Sequence, residues 1–343
     1  MSGGAQNKST RRVSDRLFGP SSPENSGEDS SPSGDKTSDR DQSRPVESTA
    51  ERQSKSNADG DTEAAGPSTK SSLTRGKVPE EEDRKRQRKC QVDLSKIEVV
   101  SFDLDDTLWD CEPVIRKAEA DMRSFLLSKG QKAMHEQLSQ PNLGRYQKAV
   151  LEQHPQKAHD VTFLRKTVIK LVANACNVED ETIAELAFEH FYNARTSHVS
   201  QHIFPGAVEA LKRLKDLGLR IGTITNGNAV VPRIPEIAPF VEHHVNPELA
   251  GAAKPSKEPF EVLRQLFGDV PADRILHVGD SFETDVGGAL NVGMKACWIT
   301  SNPLQFENEN VLVVPHVSDL ADMFERDRAK SIESRSGKDS SWE

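Results

Sequence analysis

The sequence predicts an α/β protein: a parallel sheet covered by helices on both faces, an all-helical segment inserted near its start, and a disordered polar tail in front. Three observations carry this. The composition changes near residue 96: before it the only aromatic residue is Phe18, and beyond it short apolar runs recur. From there strand-like runs alternate with helical periodicity, the pattern of βα units and hence of a parallel sheet. Residues 112–200 break the alternation and hold helical patterns only.

Residues 1–95 are rich in Ser, Gly, Pro, Glu, Asp and Lys. Such a segment buries too little apolar surface to offset roughly 1–2 kcal/mol of backbone entropy per ordered residue. Within it, Arg84-Lys85-Arg86-Gln87-Arg88-Lys89 reads either as a nuclear-import or anion-binding patch or as a solvated charge run. The flanking Glu80, Glu81, Glu82 and Asp83 favour the second. Strands are expected at 97–102, 219–224, 274–278, 296–300 and 311–314, each β-rich and closed by turn residues. A helix over 205–217 places Val208, Leu211 and Leu214 on one face, and Gly218 stops it. Helices follow over 256–267, with Ser256 as N-cap, through Val286, Ala289 and Leu290, and over 318–325. In the insert, 113–127, 144–153, 160–175 and 179–195 read as helices; Val161, Leu164, Val168, Leu171, Val172 and Ala175 keep a 3.6-residue period. So long an insertion should be a small domain of its own. The chain thus divides into a tail (1–95), a core (96–111 and 201–326), a helical insert (112–200) and a frayed polar end (327–343).

The net charge of −9 is spread along the chain and argues against nucleic acid as a main partner. No run of 18 apolar residues exists, so no membrane span is expected. The four cysteines, Cys90, Cys111, Cys176 and Cys297, share no CxxC or zinc-like spacing and read as reduced thiols. The expected address is the cytoplasm. The Arg- and Ser-containing first twenty residues leave a plastid or mitochondrial transit segment open, and the basic cluster leaves the nucleus open. Partners of the tail are not indicated.

Four short segments carry chemistry, each placed after an apolar strand, where parallel sheets hold their ligands. Asp103-Leu104-Asp105-Asp106-Thr107 closes the first strand, Thr225-Asn226-Gly227 the second, and Gly279-Asp280 the third, with Asp285 five residues on; Lys254-Pro255 lies between. A carboxylate at Asp103 suits attack on phosphorus, giving an aspartyl phosphate. Asp105 suits proton donation to the leaving oxygen and removal of a proton from water, help worth about 10²–10⁴-fold. The Thr225 hydroxyl, the turn amides after it and the Lys254 charge suit phosphoryl oxygens. Mg²⁺ wants oxygen ligands, and Asp103 and Asp280 would supply them. Each residue also has a plainer reading: Asp106 as a turn cap, Asp285 as an N-cap, Thr225-Asn226-Gly227 as a common turn, Lys254 as a surface lysine. Their order and common position favour one active site.

These motifs resemble the haloacid dehalogenase-like hydrolase superfamily: DxDxT, a strand ending in Ser or Thr, a Lys, then GD with a further Asp. The resemblance covers 97–325 and implies a Rossmann-like core and Mg²⁺-dependent phosphoaspartyl chemistry on a small phosphorylated metabolite. It implies Asp103 as nucleophile and Asp105 as acid/base. It assigns Thr225, Asn226 and Lys254 to the phosphoryl group. The metal falls to Asp103, Asp105 through its backbone carbonyl, Asp280 and Asp285. The insert resembles the family's helical cap, on which Arg165 is a candidate substrate contact. The acid at Asp105 separates phosphatases from dehalogenases, which lack it. The stretches around Thr225–Ala229, Ile275–Trp298 and His159–Thr162 are similar to the bacterial phosphatases of riboflavin synthesis, which act on 5-amino-6-(5-phospho-D-ribitylamino)uracil. A promiscuous sugar-phosphate or nucleotide phosphatase, a phosphomutase and a non-catalytic scaffold are the rival expectations.

Overall fold

The computed structural model describes residues 92–301 and 308–339. The expectations for residues 1–91, including the basic cluster and the targeting segments, and for 340–343 lie outside the described residues. Among the described residues one all-parallel sheet has six strands, in the order β3-β2-β1-β4-β5-β6. The strands are β1 (Val99–Phe102), β2 (Arg220–Ile224), β3 (His243–Val245), β4 (Ile275–Gly279), β5 (Lys295–Ile299) and β6 (Val311–Val314). β1 is buried along its whole length because helices cover both faces. Val100 and Phe102 join one apolar cluster and Val99 the other, as alternating side chains require.

The first face is covered by α6 (Ala207–Asp216) and α10 (Val317–Asp339). Leu211, Leu214, Leu320 and Phe324 pack there on Val100, Leu276 and Val278. The second is covered by α8 (Glu258–Leu266) and α9 (Gly287–Asn291), through Phe260, Leu263 and Ala289. Between β1 and β2 the chain runs through five helices: α1 (Cys111–Ser128), α2 (Lys132–Gln137), α3 (Asn142–Gln153), α4 (Val161–Ala175) and α5 (Thr182–His198). Their inward faces form a separate cluster around Met122, Leu126, Leu164, Val168 and Phe191. Val168, Leu164 and Val172 from the 3.6-residue period are buried in it.

Several elements differ from expectation. Val92 and Leu94 already pack into the core, ahead of the boundary at 96. α2, β3 and the short α7 (Pro247–Ala250) were not anticipated. β3 is a polar edge strand, His243-His244-Val245, with no apolar run to mark it. α8 begins after Lys257, and Ser256 makes no cap. α10 continues to Asp339, through residues expected to fray. Near its middle Arg326 pairs with Asp322 and Arg328 donates to the Leu217 carbonyl.

His244 on β3 shares a hydrogen bond of 2.8 Å with the Thr223 hydroxyl through Nδ1. Burial pushes its pKa down to about 4. The unfolded chain then binds more protons than the folded one below the ordinary histidine value, so stability falls as pH falls. Denaturant midpoints are expected to drop steadily as pH is lowered from about 6.5 toward 4. His244→Gln should flatten part of that slope, and an unchanged slope would contradict this role.

Candidate active site

Strand order reverses between β1 and β4, since the chain builds outward from β1 through β2 and β3, then returns to β4. Open parallel sheets hold ligands beyond the carboxyl ends at such a point. Asp103 follows β1 and Asp280 follows β4, so the two acids flank it. The Asp103 amide donates to the Val278 carbonyl at 2.8 Å, which extends the sheet ladder to the nucleophile candidate itself.

Lys254 joins Asp103 to Asp285, and its side chain is fully buried. Its Nζ donates to Asp103 Oδ1 at 2.7 Å, to Asp285 Oδ1 at 2.6 Å and to the Ile224 carbonyl at 2.7 Å. Three acceptors satisfy three protons, so the ammonium is held without water. Burial opposes its charge, but Asp103 and Asp285 outweigh that and hold its pKa above the ordinary lysine value. Burial also works against the Asp285 charge; Lys254 and His277 overcome it and hold that carboxyl well below the ordinary range.

Asp285 sits on a single widened, π-type turn, Phe282–Val286, a form of helix that recurs at functional sites. Its Oδ2 accepts from the Ser281 amide at 2.9 Å. A side chain on Gly279 would collide with it, so the glycine of Gly279-Asp280 makes room for the acid five residues on. Behind Asp285, His277 Nε2 lies 3.3 Å from Oδ1, and His277 Nδ1 lies 2.8 Å from Ser101 Oγ. Burial keeps this imidazole neutral by lowering its pKa. Nε2–H then donates to the carboxylate, and Nδ1 accepts from the hydroxyl. Ser101 and His277 are register partners across β1 and β4.

Thr225 and Asn226 follow β2. Thr225 is buried, and its Oγ1 accepts from the Gly227 amide at 2.9 Å. Asn226 clasps Lys254 from both sides: its Oδ1 accepts from the Lys254 amide at 2.8 Å and its Nδ2 donates to the Lys254 carbonyl at 2.9 Å. The Asn226 side chain therefore orients the lysine, and the turn's backbone is what it leaves for a ligand.

Asp105 turns the other way. Trp109 Nε1 donates to its Oδ1 at 2.8 Å, and Arg195 Nη2 reaches Oδ1 at 3.0 Å and Oδ2 at 2.7 Å. Asp106 caps α1 by accepting from the Cys111 amide at 3.0 Å, the plainer reading for that residue. Carboxylate oxygens of Asp103, Asp280 and Asp285 lie within 4.8 Å of one another, a hard-oxygen donor set that fits a small divalent cation. The Asp105 side chain is outside that set.

A cavity of about 290 Å³ opens above these groups. Asp103, Asp105, Thr225 and Lys254 form its floor, and Ile115, Arg165, Phe191 and Arg195 of the insert line it too. Arg165 pairs with Glu119 at 3.1 Å and stacks over the Phe191 ring at 3.7 Å. All the sequence-predicted candidates therefore reach one locality. Arg195, His277 and Ser101 were missed. Ser101 and His277 had a signal: each is a polar residue inside an otherwise apolar strand, two positions before a motif. Arg195 had none.

The haloacid dehalogenase-like hydrolase model matches residues 97–293. The chain belongs to that family. Among its relatives in this family, the 5-amino-6-(5-phospho-D-ribitylamino)uracil phosphatase YigB of Escherichia coli is 32% identical over 209 residues, covering 60% of this chain and 84% of that protein. A glyceraldehyde 3-phosphate phosphatase of Pyrococcus abyssi is 30% identical, covering 59% of this chain and 81% of that one. A 2-haloacid dehalogenase structure from Pseudomonas syringae has a TM-score of 0.59 at 30% identity, covering 67% of this chain and 99% of that one.

Asp285→Asn keeps the side-chain shape but removes one of the two charges on a buried ammonium. Unfolding free energy is expected to fall by about 2 kcal/mol or more, measured by urea titration. A change within about 0.5 kcal/mol, the size of an ordinary surface substitution, would mean that Lys254 does not depend on this pairing.

Proposed function

We propose that this haloacid dehalogenase-like hydrolase is a Mg²⁺-dependent phosphomonoesterase that works through an aspartyl phosphate on Asp103. The observation that carries the reading is the second acid. Asp105 lines the same cavity as the Lys254-bound Asp103, which supports its role as the proton donor to the leaving oxygen.

In the first step an Asp103 carboxylate oxygen bonds to phosphorus as the bond from phosphorus to the ester oxygen breaks. Asp105 gives that oxygen its proton, and the alcohol leaves. Water then bonds to phosphorus, Asp105 takes the water proton, and the bond from phosphorus to Asp103 breaks, releasing phosphate. Lys254 and the Thr225 turn balance phosphoryl charge throughout. Asp285 acts through Lys254 by keeping it in place, with His277 and Ser101 behind. Asp103 and Asp280 would hold Mg²⁺, which when bound neutralises phosphoryl charge and fixes its orientation.

The helical insert acts as a cap that shields this chemistry from water. The cavity is small for a ligand site, which supports a small phosphorylated metabolite over a protein or a dinucleotide. 5-amino-6-(5-phospho-D-ribitylamino)uracil is the first candidate, after the Escherichia coli relative, and triose or sugar phosphates follow from the archaeal one. No helix among the described residues is long and apolar enough to cross a membrane, in keeping with a cytoplasmic enzyme.

The test is phosphate release from p-nitrophenyl phosphate and a panel of phosphorylated metabolites containing both candidates. Wild type with Mg²⁺ should turn over, EDTA should stop it, and Asp103→Asn should fall by on the order of 10³-fold or more. Equal rates from wild type and Asp103→Asn would end the reading.

A further inference from the structure

Arg195 is a residue that the sequence motifs do not predict, and it lines the cavity while pairing with Asp105. It lies in the last turn of α5, on the insert, and is 2% exposed. One of its two terminal nitrogens is engaged: Nη2 spans both oxygens of Asp105, at 3.0 and 2.7 Å. The other is not. Nη1 is buried and has no hydrogen-bond partner among the described residues, in a side chain that lines the cavity. A guanidinium cannot shed its proton to escape this, and a buried unpaired donor is costly.

The surroundings are also built for this group. Trp109, itself fully buried, anchors Asp105 Oδ1, and Arg195 Nη2 makes its shorter contact, 2.7 Å, with Oδ2. A side chain on Gly227 would run into both the Asp105 carboxylate and the Arg195 guanidinium. The glycine of the Thr225-Asn226-Gly227 turn is thus what admits the pair to the edge of the phosphoryl site.

We infer that Arg195 selects the leaving group, its Nη1 pairing with an acceptor oxygen on the carbon adjoining the ester carbon. The substrates are therefore phosphomonoesters of alcohols with a vicinal oxygen. The inference rests on the phosphatase reading, with Asp105 beside the ester oxygen. The guanidinium is planar and holds Nη1 next to Nη2. A substrate whose ester oxygen meets Asp105 therefore meets Nη1 about one carbon further on. An analogue with only hydrogens there leaves the donor unpaired, and sites built to bond a substrate oxygen reject such analogues. Pairing the donor is worth roughly 10- to 100-fold in kcat/KM.

The experiment compares sn-glycerol 3-phosphate with n-propyl phosphate, two primary alkyl esters of which only the first carries a hydroxyl on the carbon adjoining the ester carbon, on the full-length protein with Mg²⁺. p-Nitrophenyl phosphate is assayed in parallel. Wild type should favour glycerol 3-phosphate by roughly 10-fold or more in kcat/KM. Arg195→Met should reduce the ratio to within about threefold of one, whatever happens to the separate rates. Arg195→Lys, which keeps the charge and stem, should also lose most of the ratio, because one ammonium cannot serve Asp105 and the substrate in the same fork geometry. It carries the test if the Met variant does not fold. A wild-type ratio near one, or a ratio kept by the variants, overturns the inference while the phosphatase reading stands. Failure of wild type on all three esters overturns both.

Discussion

One buried ammonium between two carboxylates is the constraint on which the site depends. Asp103, Asp280 and Asp285 bring three acidic oxygens within 4.8 Å of one another. Such a group would repel itself apart, and Lys254 is the cation built into its base, donating to two of the three acids. Removing a charge from water is expensive unless every proton is bonded and the charge is matched. Both conditions are met here, by the Ile224 carbonyl for the third proton and by the Asn226 clasp on the lysine backbone. Ile224, Asn226 and Asp103 stand at or just past the carboxyl ends of the neighbouring strands β2 and β1, and Lys254 and Asp285 reach them from the segments that follow β3 and β4.

The two sides of the cavity divide the chemical work. The core side is rigid and polar, with its acids, lysine and turn fixed by backbone and buried side-chain bonds. The insert side presents Phe191, Ile115 and two guanidiniums. Insert and core meet directly where Arg195 holds Asp105, and again where Asn228 Nδ2 donates to Thr162 Oγ1 at 3.1 Å. Asp105, the proposed acid, is thus tied to the helical insert, while Asp103, the proposed nucleophile, is tied to the sheet.

Much of this was legible before any coordinates. Asp103, Asp105, Thr225, Asp280 and Asp285 follow strands that apolar runs announce, and short motifs at strand ends are local facts of sequence. The insert was legible because Val161 to Ala175 keep one period throughout. What stayed hidden is non-local. β3 is an edge strand whose pairing with β2, not its composition, makes it a strand. The π-type turn at Phe282–Val286 has no periodicity to read. The two-sided clasp of Asn226 on the Lys254 backbone joins residues 28 apart. Arg195 meets Asp105 across 90 residues, and nothing near it in the chain distinguishes it from a solvated arginine.

The most direct measurement is a crystal structure of the protein with Mg²⁺ and beryllium fluoride, which mimics a phosphoryl group on a carboxylate. The expected density shows beryllium bonded to an Asp103 oxygen, Lys254 still joined to Asp285 beneath it, and Asp105 facing the open side. Beryllium fluoride on another residue, or a Lys254 side chain turned out to solvent, would contradict the arrangement from which every functional step above was derived.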